Sequence, residues 1–326
     1  MKFSEIKHKI KNLGDFKSLE EIKKAGLRIV KNTKTGDYWL IEEEFLKPVI
    51  KSPRECKTIL IKPEDLKYKV LMVHKSKEEL KGKKVLDYIE WGEKEGFHKR
   101  PTCKSRKWWW SLEEPQISLN ILPMFERERK YAFLNWGKKV LIDATLYWVY
   151  PKDNFLPEYK YRELVLNCLL NSTYRYLLEE INARPPEGGG GGPIQVKVID
   201  YERFYVPKDF KFKKQITEFS NTSISLRVKE NYKNVLGIPE SELDELILNL
   251  SRILIRPIKS IFDELGLDPN DPNKPIREQE PNPLPDRKAL DDIVFDALGL
   301  TEEERKEVYW AVAELVQSRL KKAKSV

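Results

Sequence analysis

The sequence predicts an α+β protein: a mixed domain on a sheet rich in aromatic side chains with flanking helices, followed by a mainly helical C-terminal region. Three observations carry that expectation. Short β-branched and aromatic runs crowd residues 27 to 150, helical spacing takes over from 159 to 184, and beyond about 208 polar stretches and a Pro-rich span separate further helical segments. With 326 residues, 40% hydrophobic and 34% charged, the chain is long enough for two domains or for one core with a helical appendage. The expected division is an α+β domain over 1–157, a long helix, Gly-rich hinge and strand over 158–235, and a helical, acidic region over 236–326.

Taken in order, residues 3–12 and 18–25 read as short helices, the second opened by Ser18 with Glu21 at the capping-box position. Leu27 to Leu40 is extended about the turn Lys34-Thr35-Gly36-Asp37, and Ile41 to Leu46 reads as a helical turn stopped by Pro48. KTILIK (57–62) and YKVLMVH (68–74) are β-rich. Ser76 to Glu95 reads as one helix, with Leu80, Val85 and Ile89 on its apolar side and Tyr88 and Trp91 beside them. Four strands follow, at 117–123, 130–135, 139–143 and 145–150, the middle pair joined by a hairpin turn at Asn135-Trp136-Gly137-Lys138. Residues 159–184 form a single helix in this reading, ended by Pro185-Pro186, and 194–200 is a strand. A helix over 240–265 and two terminal helices complete the chain. The terminal pair is split at Gly299-Leu300, with Thr301 and Glu304 forming a capping box and Lys321, Lys322 and Lys324 complementing the last helix dipole.

Charge is distributed unevenly. The net charge is +8, yet residues 236–326 carry 13 Lys and Arg against 19 Asp and Glu, so the basic excess lies in the first two-thirds. That pattern suggests a polyanion-binding body and an acidic, protein-facing tail. No apolar run approaches the roughly 20 residues needed to span a bilayer, and the first helical stretch is charged throughout, so a cytoplasmic protein without membrane partners is expected. Three cysteines without a CxxC pair suit neither a disulfide framework nor a zinc knuckle.

The most distinctive stretch is Tyr88 to Trp110, YIEWGEKEGFHKRPTCKSRKWWW. It gathers Lys94, His98, Lys99, Arg100, Lys104, Arg106 and Lys107, punctuates them with Gly96 and Pro101, and closes on three tryptophans. Basic side chains on such a loop neutralise phosphates, and guanidinium and indole planes stack on bases. Read as a strand, 108–110 would place Trp108 and Trp110 on a core-facing side and Trp109 on the other, open to stacking.

Catalytic signatures are missing: no Walker loop, GxGxxG after a strand, HExxH or G-x-S-x-G elbow occurs. One nuclease-like set, Asp143 with Glu158 and Lys160, could hold a divalent metal; its bland reading is a strand-end Asp and a solvated helix start. The run Gly188, Gly189, Gly190, Gly191 and Gly192 is a hinge or a backbone that approaches something closely.

An ordered series, EWGEKEGFHKRPTCKSRKWWWSL, ILPMF, LNWGKKVLIDATLYWVYP, LNSTYRYLLEEINAR, EGGGGG and IQVKVIDYERFYVP, resembles the target-recognition region of adenine-N6 DNA methyltransferases in which modification and recognition, sometimes with a nuclease, share one polypeptide. It is similar also to the recognition domains of type I specificity subunits. The closing GLTEEERKEVYWAVAELVQSRLKKAKS resembles the terminal helix of the same group. The family's Asn-Pro-Pro-aromatic motif and Gly-rich cofactor turn do not occur here. The resemblance therefore implies a recognition half, as a specificity subunit or a fragment of a longer enzyme, with no catalytic residue and no cofactor of its own. S-adenosylmethionine is expected on a catalytic partner, where the adenine would be flipped out. The implied partners are double-stranded DNA and a methyltransferase domain or subunit, with or without a nuclease, and the acidic tail docks on that partner or pairs with a second copy as a homo-oligomer. On this view Lys94, His98, Lys99, Arg100, Lys104, Arg106, Lys107 and Trp109 face DNA. The alternatives are a metal-dependent nuclease using Asp143, Glu158 and Lys160, and an RNA-binding scaffold.

Overall fold

The computed structural model describes residues 3–151, 162–182, 193–195 and 253–324. Glu158, Lys160, Gly188 to Gly192, the expected strand beyond 195 and the start of the expected 240–265 helix lie outside the described residues. The protein is α+β, with small sheets and a helical C-terminal region. Its chain falls into two compact units, residues 1–49 with 66–116, and residues 50–65 with 117–326. The first holds 24 Lys and Arg against 16 Asp and Glu, a balance of +8, and the remaining 36 of each sign cancel in the second.

In the first unit, α1 (Phe3–Ile6) runs into a 3-10 turn, and α2 (Leu19–Lys24) starts where Ser18 Oγ accepts the Glu21 N–H at 3.2 Å. Strands β1 (Leu27–Lys31) and β2 (Tyr38–Glu42) form an antiparallel hairpin, with Leu27 opposite Glu42 and Lys31 opposite Tyr38. Alternation along β2 sends Leu40 into a cluster with Ile6, Ile10, Ile22 and Leu27, and Trp39 and Ile41 into another with Phe45, Val73, Leu80, Val85 and Ile89. Strand β3 (Leu46–Ile50) pairs antiparallel with β4 (Tyr68–Leu71), so Pro48 lies within a strand rather than ending a helix.

Helix α3 (Lys84–Lys94) begins later than the periodicity predicts. Ser76 and Glu79 do cap one another, Ser76 N–H to the Glu79 carboxylate at 2.7 Å, but they close only a turn, because Gly82 then adopts φ +80. The helix starts instead on a borrowed cap: the Glu42 carboxylate accepts the Lys84 and Val85 N–H groups at 2.6 and 3.0 Å. A carboxylate there satisfies orphan donors and complements the helix dipole. Helix α4 (Pro101–Lys104) follows with Pro at its first position.

In the second unit β5 (Asn120–Pro123) is the central strand of a sheet, and β6 (Phe125–Glu126) follows it. Strands β7 (Phe133–Leu134) and β9 (Leu146–Val149) flank β5 on either side, with β8 (Leu141–Ile142) between them in sequence. The hairpin expected between β7 and β8 does not form. The Asn135 side chain accepts the Val140 N–H at 3.2 Å and donates to the Val140 and Ser118 carbonyls, and Gly137 turns at φ 70, so the link folds onto itself. KTILIK is likewise not a strand; Thr58 and Leu60 make isolated bridges to Pro257 and Leu134.

The predicted single helix over 159–184 is two, α5 (Arg162–Leu170) and α6 (Thr173–Asn182). Tertiary polar contacts break it at Asn171-Ser172. The Asn171 side chain bonds both Ala132 backbone groups, at 2.9 and 3.0 Å, and Arg287 donates to the Asn171 carbonyl. The buried Asp291 carboxylate accepts the Thr173 N–H at 2.7 Å and the Thr173 hydroxyl at 2.6 Å, capping α6 from 118 residues away. Strand β10 (Ile194–Gln195) pairs with β6. Pro257 interrupts the expected 240–265 helix: residues 253–255 are helical before it, and α7 (Ile261–Leu265) follows it. Helices α8 (Pro285–Leu298) and α9 (Glu302–Lys324) follow, and the Thr301–Glu304 box forms as read, at 2.7 and 3.3 Å.

Charge is buried here in bulk. Lys130, wholly enclosed, lies 2.9 Å from Glu180, 3.3 Å from Glu179 and 3.5 Å from Glu126, while Arg175 meets both Glu126 and Glu179 at 2.9 Å. Burial pushes the Glu179 carboxyl up to about 8 against the pull of Arg175. Glu126 stays below the ordinary range: burial opposes ionisation, and Arg175 and Lys130 outweigh it, helped by a hydrogen bond from Glu179. The pair therefore shares a proton carried by Glu179. Because its folded value lies above its unfolded one near 4.5, the contribution is full below 4.5 and is lost as pH rises through 8. Asp291, raised to about 6 by burial, acts with the same sign lower down. Urea midpoints are expected to fall between pH 6 and 8, and Glu179→Gln should flatten that interval; an unchanged slope in the variant would refute the assignment.

Candidate nucleic-acid interface

The basic loop lies wholly in the first unit and is fixed to α3 at both ends. Gly96, at φ +76, turns the chain out of α3 into a 3-10 turn over Phe97–Lys99. Pro101 holds Arg100 extended at φ −64 and ψ 141, and the Arg100 carbonyl accepts the Cys103 and Lys104 N–H groups at 3.0 and 2.9 Å. Residues 108–110 form a turn, not a strand, closed by the Ser111 N–H on the Trp108 carbonyl at 2.9 Å.

The tryptophans are therefore arranged differently from strand alternation. Trp108 and Trp110 stack at 6.1 Å with planes 8° apart, and Trp109 stands edge-on to Trp110. Trp109 and Trp110 both pack against the Trp39 and Ile89 core, so Trp109 faces inward, contrary to the expected outward side. Its position has a physical cause. A Cβ on Gly92 would lie 2.4 Å from the Trp109 ring, so the missing side chain seats Trp109; Phe97 lies at ordinary contact distance, 3.5 Å, from the same point. The Trp109 indole N–H donates to Glu93 at 3.0 Å, and Lys77 bridges to the same carboxylate at 2.5 Å. Burial raises the Glu93 carboxyl, but the hydrogen bonds from Lys77 and Trp109 outweigh it and hold it below the usual range.

Between these anchors the cations project. Lys94, Lys99, Arg100, Lys104 and Lys107 are exposed, and none of the five makes an ion pair or a side-chain hydrogen bond among the described residues. Elsewhere in the unit some cations are paired, Lys11 with Asp37, Arg28 with Glu43, Lys75 and Lys83 with Glu44, Lys77 with Glu93. Others, such as Lys7, Lys9, Lys17 and Lys34, are exposed without an ion pair among the described residues. What sets the loop apart is that no acid lies between Glu95 and Glu113. Arg106 and His98 are half-buried; Arg106 donates to the Trp109 carbonyl at 3.3 Å. Lys107 lies over the Trp108 ring at 4.4 Å, and Arg100 over Phe97 at 4.3 Å. Behind Phe97 the rings of Trp91, Tyr88 and Trp39 meet in turn at 5.1 to 5.5 Å, and Asn32 donates to the Tyr88 hydroxyl at 2.7 Å.

A family model, "Type II methyltransferase M.Eco57I, C-terminal domain", matches residues 29–243, which contain the whole loop and its anchors from Asn32 onward. The chain belongs to this family. A solved structure, the type IIG restriction endonuclease BpuSI, is similar at 13% identity and a TM-score of 0.46, over 86% of this chain and 27% of that one. The chain thus spans about a quarter of that protein's length. No curated protein matches it.

Sequence reasoning singled out the cations but not Gly92, Glu93 and Phe97, which fix them. Their signal was a glycine inside a helix, where it is disfavoured without a packing reason. As for the nuclease-like set, Asp143 follows β8 and its carboxylate accepts its neighbour's N–H, from Ala144, at 2.5 Å; Glu158 and Lys160 lie outside the described residues. Among the described residues no group of three His, Cys, Asp or Glu is placed to hold a metal, and no helix is long and apolar enough to cross a membrane. Gly92→Ala should displace Trp109 and destabilise the first unit by about 1–3 kcal/mol, as overpacking does. Tryptophan fluorescence during urea unfolding would register it, and an unshifted midpoint would mean that the seat is not needed.

Proposed function

We propose that this chain recognises double-stranded DNA by sequence for an adenine-N6 methyltransferase of a restriction-modification system. Catalysis and S-adenosylmethionine belong to another domain or subunit. The observation that carries the reading is the row of unpaired, exposed cations on a loop anchored at both ends, in the unit that holds the whole net charge of the chain. Family membership supports the methyltransferase setting, since the family is named for the C-terminal domain of such an enzyme. A cation already paired within the protein must break that pair to meet a phosphate, whereas an unpaired one releases counterions from the duplex at little internal cost.

The test is the salt dependence of duplex binding by the full chain. Each neutralised phosphate contributes about −0.9 to the slope of log K against log salt. Lys99→Ala and Lys104→Ala should each reduce the slope by about that amount. Lys288→Ala, which removes a lysine paired with Asp292 in the neutral second unit, should leave it unchanged. Equal responses from all three variants, or binding without salt dependence, would reject the proposal.

A further inference from the structure

We propose that Arg100 reads a guanine in the recognised duplex and that Phe97 is the residue that positions it. The inference rests on the DNA-recognition reading above and separates the two arginines of the loop. Arg106 is half-buried and commits its guanidinium to the Trp109 carbonyl at 3.3 Å, which makes it a brace of the loop. Arg100 is exposed, and its guanidinium has no ion pair or hydrogen bond among the described residues. It nevertheless has a place in the fold, over the Phe97 ring and 4.3 Å from its centre.

That combination suits base reading. Guanidinium offers a rigid fork of donors that matches O6 and N7 of guanine in the major groove, and lysine, a point charge, does not. Stacking a guanidinium on a ring occupies its face and leaves its edge, where the donors lie, available. Phe97 is itself packed: Trp91 meets it edge-on at 5.5 Å and backs onto Trp39 and Tyr88. Pro101 restricts the Arg100 backbone, which lowers the backbone freedom to be lost on binding. Lys94, Lys99, Lys104 and Lys107, exposed and unforked, are left to the phosphates.

The experiment is selection of duplexes from a randomised library by the full chain and its variants, with salt titration of the selected and a scrambled duplex. The expected result is a G·C position in the selected site that Arg100→Lys relaxes on the order of tenfold to a hundredfold, with the salt slope unchanged because the charge is kept. Phe97→Leu should weaken the same position in the same direction. Lys99→Ala and Lys104→Ala should flatten the salt slope with every selected position retained. If Arg100→Lys keeps full preference at every G·C position, the assignment of Arg100 fails while duplex recognition stands. Arg100 is exposed, so that variant does not depend on the packing that Phe97→Leu disturbs. If the unaltered chain shows neither sequence preference nor salt dependence, both the inference and the proposed function fail.

Discussion

The absence of a side chain at Gly92 is the constraint on which the basic loop depends. Trp109 and Phe97, twelve positions apart, converge on the bare backbone of α3 at that residue, and the position of Trp109 is incompatible with a Cβ held where the helix would hold it, whereas Phe97 would meet that Cβ at ordinary contact distance. A glycine inside a helix costs roughly 0.5–1 kcal/mol relative to alanine, and the seating of the Trp109 ring offsets it. Glu93 adds direction to the contact by accepting the indole N–H, and Lys77 keeps that carboxylate ionised. The helix that presents these residues is itself started by Glu42 from the neighbouring strand, so the position of the loop follows from the β1–β2 hairpin through α3. A loop closed in this way carries its cations on a short, doubly tethered arc, which restricts the conformational freedom they would surrender on meeting a ligand.

The second unit solves a different problem. Its charges sum to zero, and many of them are inside: Lys130, Arg175, Glu126 and Glu179 in one network, Arg287, Glu264, Arg256 and Asp286 in another. Buried ions seldom add stability over apolar residues of the same volume, because desolvation consumes the attraction. What they do impose is geometry. Arg287 reaches Glu264 on α7 and the Asn171 carbonyl between α5 and α6, while Asp291 on the same face of α8 caps α6. These contacts define where each helix starts and how far the next must lie from it, and mispairing would strand a charge at a cost of about 3–5 kcal/mol.

These long-range polar contacts also mark the limit of what could be read beforehand. The α+β class, the β1–β2 hairpin with its turn, the Ser18 cap and the Thr301–Glu304 box were legible, because each rests on residues a few positions apart. The break between α5 and α6 was not, since the apolar spacing is continuous there and the interruption is made by Ala132, Arg287 and Asp291, remote in sequence. The missing β7–β8 hairpin has the same origin: the Asn-Trp-Gly-Lys string permits a turn, and Asn135 spends its amide on Val140 and Ser118. In the candidate site, composition displayed the cations, and the tryptophan run displayed an anchor. Which indole faced inward was decided by a space on α3, and no alternation rule applies to a turn.

The density of cations without intervening acids, rather than the pairing of any one of them, sets the loop apart. The first unit has lysines throughout, and a surface lysine beside a glutamate gains little, about 0.2–1 kcal/mol for an exposed pair. The small gain means that pairing is governed by what else the position must do. Lys75 and Lys83 both converge on Glu44, and Lys77 is recruited to Glu93 to hold Trp109. On the loop the residues following α3 include no acid between Glu95 and Glu113, so the five exposed cations have no ion pair among the described residues, and Arg100 and Lys107 lie over the Phe97 and Trp108 rings instead. Mutual repulsion among them is tolerable only where the backbone does not depend on them for its shape. Gly92, Pro101 and the aromatic stack supply that shape from apolar and backbone contacts, with the Glu93 carboxylate holding the Trp109 indole. Fold and charge are thereby separated within one segment, and the cations are free to answer to whatever anion meets them.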